Sequence, residues 1–192
     1  VDAFDVAAFR RHHGGQVAKQ PETIVGRDFE GMDHTETLPM TARLRQSPLF
    51  SGLRDDQITD LLEFAQTQTF LAGESLLSIG EASGDLLVLV VGEANGISTD
   101  GDVILRYAPG SVAGLVSFLD GRPQPLNVVA KGRVDAVRLP ARETRALMNR
   151  DRDLGFTLLG TISRVVCHRY RTAISKIDNL LDEVGDAWDN SL

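Results

Sequence analysis

The feature that most restricts the fold is a series of short β-strand segments between residues 67 and 139, each followed by residues that favour turns. The Asp100-Gly101 pair between two of these segments is a typical hairpin signal. Many short strands with regular turns predict a sandwich or small barrel, because α/β proteins alternate strands with helices. The predicted strands are Thr67–Leu71, Ser75–Ile79, Asp85–Val91, Ala94–Thr99, Val103–Tyr107, Leu126–Ala130 and Arg133–Leu139.

Helical patterns flank the strand region on both sides. Asp55-Asp56-Gln57 predicts the start of one helix before it, and after Pro140 a short helix over Ala141–Met148 and a long helix over 154–184 are predicted. We therefore expect an α+β protein. Its centre is a β-roll, a double-stranded jelly-roll-like barrel, with N-terminal helices and a long C-terminal helix.

The sequence divides into four expected parts. Residues 1–43 form an arm or linker with a short amphipathic helix at 2–12, because residues 14–39 are polar and interrupted by glycine and proline. Residues 44–150 form the β-roll domain, 151–184 the long helix and 185–192 an acidic tail. The first residue is not methionine, which suggests processing or a fragment.

Composition excludes several classes of function. The 192 residues include 27 acidic and 20 basic ones, a net charge of -7, which disfavours nonspecific binding to nucleic acid or to anionic membranes. Cys167 is the single cysteine, so we expect no intrachain disulfide and a reducing cytoplasm. The longest apolar run, Leu86–Val91, is too short to cross a membrane, and the first residues lack the pattern of a signal peptide.

No catalytic or metal-binding pattern is present. A metal-dependent barrel enzyme needs an inward cluster of histidines and a carboxylate on its strands, but all four histidines lie outside the strand region. Cys167 and His168 are neighbours on a helix, about 100° apart, and do not form a nucleophile–base pair. We therefore expect no enzyme activity, no metal and no cofactor.

The order and spacing of the turn residues carry a family resemblance. Together with a helical cap before the strands and a long helix after them, these turn residues make the chain from Leu44 to Leu181 similar to the cyclic-nucleotide-binding domain. This domain is the sensor module of catabolite activator proteins, protein kinase regulatory subunits and cyclic-nucleotide-gated channels. The markers are Pro48-Leu49-Phe50, Ala72-Gly73-Glu74, Gly80, Gly84-Asp85, Gly92-Glu93, Pro109-Gly110, Gly114, Leu119-Asp120-Gly121 and Pro123.

The resemblance implies a ligand site in the segment that this family uses as its phosphate cassette. The family pattern is Phe-Gly-Glu, a short helix, then proline followed by Arg-Ser or Arg-Thr. The glutamate accepts a hydrogen bond from the ribose hydroxyl, and the arginine binds the cyclic phosphate together with backbone N–H groups. Aligned on Gly114, Gly121 and Pro123, the candidate site residues are Gly114, Leu115, Val116, Arg122, Gln124, Pro125 and Leu126.

This sequence departs from the family pattern at every contact position. Ala113 stands for the phenylalanine, Leu115 for the glutamate, Gln124 for the arginine and Pro125, which has no N–H, for the hydroxyl residue. Leu126 replaces a small residue and is expected to fill space. We therefore expect that cyclic AMP and cyclic GMP do not bind in the family's usual way.

Two alternatives keep a ligand. Arg122 lies two residues before the expected arginine. One alternative is a cyclic nucleotide receptor that uses Arg122, and the opposing interpretation is that Arg122 is a solvated residue of the turn. A sensor for a non-canonical, more apolar molecule also remains open, because Leu115 and Leu126 would make the pocket less polar.

Apolar residues on the long helix alternate steps of three and four, which is typical of a coiled-coil seam. We expect this seam to form a homodimer. The alternative is a helix that covers the β-roll of its own chain, with Leu158 and Val165 docking on it. The seam residues are Leu159, Ile162, Val166, Tyr170, Ala173, Ile177 and Leu180.

A basic stretch on the same helix fits either a solvated face or a surface for a protein partner. No helix-turn-helix segment follows it, so we expect no nucleic-acid partner. The expected function is a non-enzymatic regulatory or assembly module that contacts another protein through its arm or barrel. The basic stretch consists of Arg164, His168, Arg169, Arg171 and Lys176.

Overall fold

The computed structural model of the protein describes residues 40–189, with side chains over residues 42–178. The helix predicted at residues 2–12 lies outside this range. The helices are α1 Met40–Leu44, α2 Asp55–Leu62, α3 Leu115–Asp120, α4 Ala141–Arg150 and α5 Arg152–Asp189, with a 3-10 helix at Pro48–Phe50. The strands are β1 Gln66–Phe70, β2 Ser75–Leu77, β3 Leu86–Val91, β4 Ala94–Ile97, β5 Val103–Tyr107, β6 Val112–Ala113, β7 Asn127–Ala130 and β8 Val134–Leu139.

Two four-stranded sheets form the β-roll, in the orders β1-β8-β3-β6 and β2-β7-β4-β5. Every strand pair is antiparallel, and β4 and β5 are joined by the predicted hairpin, in which Gly101 has φ 91°. This confirms the α+β roll with helical ends. The sequence missed β6, because its two residues are too few to show a strand pattern.

Several predicted boundaries differ from the structure for local reasons. Strand β2 ends before Ile79, because the N–H of Ile79 donates to the side chain of Asn127 at 2.8 Å instead of to a backbone carbonyl. Strand β4 ends at Ile97, where a register shift interrupts its pairing with β5. Helix α5 continues to Asp189, so residues 185–189 belong to the helix and not to a tail.

Strand β3 is buried on both faces, which explains its continuous apolar sequence. Leu87 and Leu89 face a core inside the roll, whereas Leu86 and Val88 face a second core between the roll and the helices. Since successive side chains of a strand point to opposite faces, one strand serves both cores. We call these the roll core and the helix-side core.

Helix α5 closes the helix-side core with its first four turns. Leu154, Leu158 and Ile162 are fully buried at four-residue spacing, so one stripe of the helix faces the roll. Asp151 caps the helix, because its Oδ1 accepts the N–H of Leu154 at 3.0 Å. Its Oδ2 accepts the amide of Gln57 at 3.0 Å, which ties α2 to α5.

Candidate functional site

The segment that corresponds to the phosphate cassette is a tight turn–helix–turn. Gly114 has φ 85° and directly precedes α3, and Gly121 has φ 69° directly after it. A Cβ atom on Gly114 would lie 2.1 Å from the carbonyl oxygen of Asp85, so only glycine fits there. The carboxylate of Asp85 fixes this corner further, since it accepts the N–H of Ala141 at 2.8 Å and Nη1 of Arg138 at 3.1 Å.

Gln124, which the alignment with the family pattern predicts to replace the arginine, is buried in the protein. Its backbone bonds to Glu81 and Gly80 hold it in place, and the residue is 6% exposed. The Nε2 atom lies next to Gly114, 3.5 Å from the position that a Cβ atom on that glycine would take. Among the described residues neither this atom nor Oγ of the buried Ser117 has a hydrogen-bond partner.

Leu115 and Leu126 have different surroundings. Leu115 is 2% exposed and packs in the helix-side core. Leu126 is half-buried, with Cδ1 3.5 Å from the position that a Cβ atom on Gly96 of β4 would take. The expectation that the two leucines make a ligand pocket less polar stays a prediction.

The other predicted cassette residues are on the surface. Val116 is 48% exposed, and Pro125 is exposed as well. Arg122 is exposed in the turn after α3, where its backbone N–H donates to Oδ1 of Asp120 at 2.9 Å. The structure thus brings Gly114 and the side chain of Gln124 together, while Val116, Arg122 and Pro125 are exposed.

The predicted seam of the long helix divides into a buried and an exposed part. Ile162 is fully buried in the helix-side core and Val166 packs against it, so this part of the stripe covers the roll of its own chain. Leu159 and Ala173 are exposed, as are Tyr170 at 66% and Ile177 at 51%. The side chain of Leu180 lies outside the described residues. Ile162 therefore belongs to the core of its own chain and not to the predicted dimer seam.

Arg169 joins helix α5 to the roll, a contact that the sequence did not reveal. Its Nη2 donates to the carbonyl oxygen of Val112 at 2.8 Å, and its guanidinium lies 5.2 Å from the centre of the Tyr107 ring. Burial raises the pKa of Tyr107, while the nearby charge and hydrogen bond of Arg169 act in the opposite direction. A residue of the predicted basic stretch therefore holds the helix in place.

Two adjoining cavities lie beside α5, on the side of the N-terminal cap. One, of about 420 Å³, is lined by residues that include Arg45, Pro48 and Arg164, and the other, of about 250 Å³, by residues that include Pro48 and Arg169. Neither is lined by a candidate cassette residue. Over the described residues, no group of three histidine, cysteine, aspartate or glutamate side chains is arranged to hold a metal ion.

Known proteins match both the sequence and the fold. Residues 67–151 match the family model described as "Cyclic nucleotide-binding domain". The match covers less than half of the chain and shows similarity to that family over this segment. No curated protein sequence matches the chain significantly. Within the described part of the chain, no helix combines the length and the apolar character needed to span a bilayer.

Solved structures with the same fold come from several organisms. A cyclic nucleotide-binding domain from Methylobacillus flagellatus is 23% identical, with a TM-score of 0.63 over 71% of this chain and 79% of that chain. The catabolite activator protein of Thermus thermophilus is 22% identical, with a TM-score of 0.59 over 70% and 63% of the two chains. The regulatory subunit of a cAMP-independent protein kinase A from Trypanosoma brucei is 20% identical, with a TM-score of 0.60 over 71% and 50%. At these identities the likeness establishes the fold.

Proposed function

We propose that this cyclic nucleotide-binding domain is a non-enzymatic regulatory or assembly module that does not bind cyclic AMP or cyclic GMP in the family's usual way. It acts instead through protein–protein contacts. The observation that carries the proposal is Gln124. Gln124 is a buried, uncharged amide, and the alignment on Gly114, Gly121 and Pro123 predicts that it replaces the arginine that binds the cyclic phosphate in the family.

The free energies of the missing contacts favour a loss of cyclic nucleotide binding. Replacing a charged, hydrogen-bonded phosphate contact costs about 2–5 kcal/mol, and each missing neutral hydrogen bond costs about 1 kcal/mol more. Pro125 has no N–H to donate, and Leu115 offers hydrocarbon that is already packed in the helix-side core. At about 1.4 kcal/mol per tenfold, these losses move a micromolar site to millimolar or weaker binding.

A structural relative supports the idea that this fold works without the nucleotide. The trypanosomal subunit with the same fold belongs to a kinase described as cAMP-independent. A triple mutant of that subunit is bound to cAMP in its A site. By analogy with a cAMP-independent protein of this fold, we propose that the present chain also works without cyclic AMP.

Titration calorimetry tests the proposal. We expect no saturable heat with cyclic AMP or cyclic GMP at concentrations up to about 1 mM. The double variant Gln124→Arg/Pro125→Ala restores the charge and one N–H, so it should bind at least about tenfold more tightly than the natural chain. A micromolar dissociation constant for the natural chain contradicts the proposal. Loss of that binding in Arg122→Ala would then assign it to Arg122.

A second candidate function, a sensor for an uncharged molecule, is favoured by the two buried atoms that lack partners. Nε2 of Gln124 and Oγ of Ser117 are polar groups whose burial costs free energy unless an acceptor satisfies them. A neutral molecule with carbonyl or hydroxyl oxygens supplies such acceptors. Native mass spectrometry after gentle purification tests this function. A small molecule that is retained by the natural chain and lost in Gln124→Leu supports the sensor. A protein that retains no small molecule supports the regulatory or assembly module that works without a ligand.

We also propose that a second copy of the chain covers the exposed part of the seam. Tyr170, Ala173 and Ile177 of the seam are exposed on α5. They recur at steps of three and four residues, as a helical pairing surface requires, and the exposed Ile174 lies beside them. Sedimentation equilibrium should show a dimer that Ile177→Asp dissociates and that Ser175→Asp, an equally charged change at an exposed neighbour, preserves. A monomer at about 100 μM contradicts this proposal, since a pairing of about 5 kcal/mol would already be half-populated there.

A further inference from the structure

The two cavities beside α5 form one continuous groove, because both are lined by Gln46, Pro48 and Val165. Arg45 and Arg164 line one half and Arg169 lines the other, and among the residues that the structure describes no lining residue of either half carries a carboxylate. We call this surface the arginine groove. In a chain with a net charge of -7, a carboxylate-free surface with three guanidinium groups is set up for an acidic ligand.

Two of the three arginines lack a carboxylate partner within the described part of the chain. Arg164 donates to the carbonyl oxygen of Gly160 at 3.3 Å and to Oγ1 of Thr161 at 3.1 Å. Arg169 donates to the carbonyl oxygen of Val112. Arg45 pairs with Asp55, whose side chain is 91% exposed and therefore gains little from the pair. The charge of the groove is thus largely uncompensated by the residues around it.

The chain itself contains a matching acidic segment immediately before the groove. Residues 22–39 precede α1, and α1 leads directly to Arg45. Arg27 is the only lysine or arginine in this segment. Phe29 and Met32 lie between its acidic residues, and the apolar side chains of Pro48 and Val165 line the groove together with the arginines. The acidic residues of the segment are Glu22, Asp28, Glu30, Asp33 and Glu36.

We propose that residues 22–39 bind in the arginine groove of their own chain. Eighteen extended residues reach up to about 60 Å, so the attachment at Met40 does not limit access. A segment tethered this closely has an effective concentration on the order of millimolar, which favours it over an acidic partner from solution. This contact is independent of what the cassette binds.

Hydrogen exchange measured on the full chain by mass spectrometry tests the proposal. Amides of residues 22–39 should exchange about tenfold more slowly than in an unstructured peptide, and high salt should remove this protection. Arg164→Glu should abolish it. Arg171→Glu makes the same charge change on an exposed position of α5 outside the groove and should preserve it.

A second variant keeps the test independent of folding. The triple change Glu30→Gln, Asp33→Asn and Glu36→Gln leaves the groove intact and should also abolish the protection. Fast exchange of residues 22–39 in the natural chain overturns the proposal, as does protection that survives Arg164→Glu. Protection that rises with protein concentration overturns it as well, because the bound segment then belongs to a second copy.

Discussion

Replacing Arg169 with alanine should loosen the closing helix by an amount that the structure allows us to work out. The hydrogen bond from its Nη2 to Val112 is charge-assisted, a class that contributes about 1.5–3 kcal/mol, and its contact with the Tyr107 ring adds about 0.5–1 kcal/mol. Because Arg169 is half-exposed, we take the low end of both ranges. The expected loss is about 2 kcal/mol of unfolding free energy, or about 4–8 °C in Tm.

Urea denaturation and thermal unfolding measure this loss, with Arg171→Ala as the control. Arg171 is exposed on the same helix and should change the unfolding free energy by less than about 0.5 kcal/mol. The Tyr107 phenol provides a second readout in a Tyr170→Phe background. Because Arg169 opposes the effect of burial, its removal should raise the pKa of Tyr107 further. Equal unfolding free energies for the two alanine variants, with an unchanged phenol titration, would refute the role of Arg169.

Three further predictions follow from single positions. Gly92→Ala should lower the unfolding free energy by more than about 3 kcal/mol and Gly101→Ala by about 1–2 kcal/mol. Both have positive φ, but only at Gly92 would a Cβ meet a backbone oxygen, at 2.1 Å. Asp151 accepts a hydrogen bond from the first turn of α5 that holds its pKa below the usual range. The Asp151 carboxylate therefore stabilises the protein above about pH 4, and this stabilisation is lost as the pH falls through its lower folded-state pKa. Urea titrations should find that the unfolding free energies of Asp151→Asn and of the natural chain converge in strong acid. Leu115→Glu should lower the unfolding free energy, measured in urea, by about 3 kcal/mol or more, because it buries a charge. Val116→Glu, on the exposed face of α3, should leave the unfolding free energy nearly unchanged. Similar losses for the two variants would show that Leu115 is not in the core.

The architecture was predictable because its determinants are local. Turn residues such as Asp100-Gly101 mark the strand ends, and the apolar run Leu86–Val91 identified the central strand without showing that both of its faces are buried. The long helix was evident from its periodicity. The helix at residues 2–12 lies outside the described residues and stays a prediction.

The site was less predictable because its contacts join distant parts of the chain. Gly114 and Gln124 were found through the family pattern, but the burial of Leu115 in the helix-side core and the contact of Leu126 with Gly96 depend on the tertiary structure. Periodicity placed Ile162 in the dimer seam, since a stripe facing the roll and one facing a partner have the same spacing. The contact of Arg169 with Val112 spans 57 residues, and no local pattern encodes it.

The most direct test of the central claim is a crystal structure of the chain grown with millimolar cyclic AMP. We expect no nucleotide density against the segment from Gly114 to Leu126, with Gln124 in its inward position. A cyclic phosphate seated within hydrogen-bond distance of Nε2 of Gln124 or of the Arg122 guanidinium would contradict it.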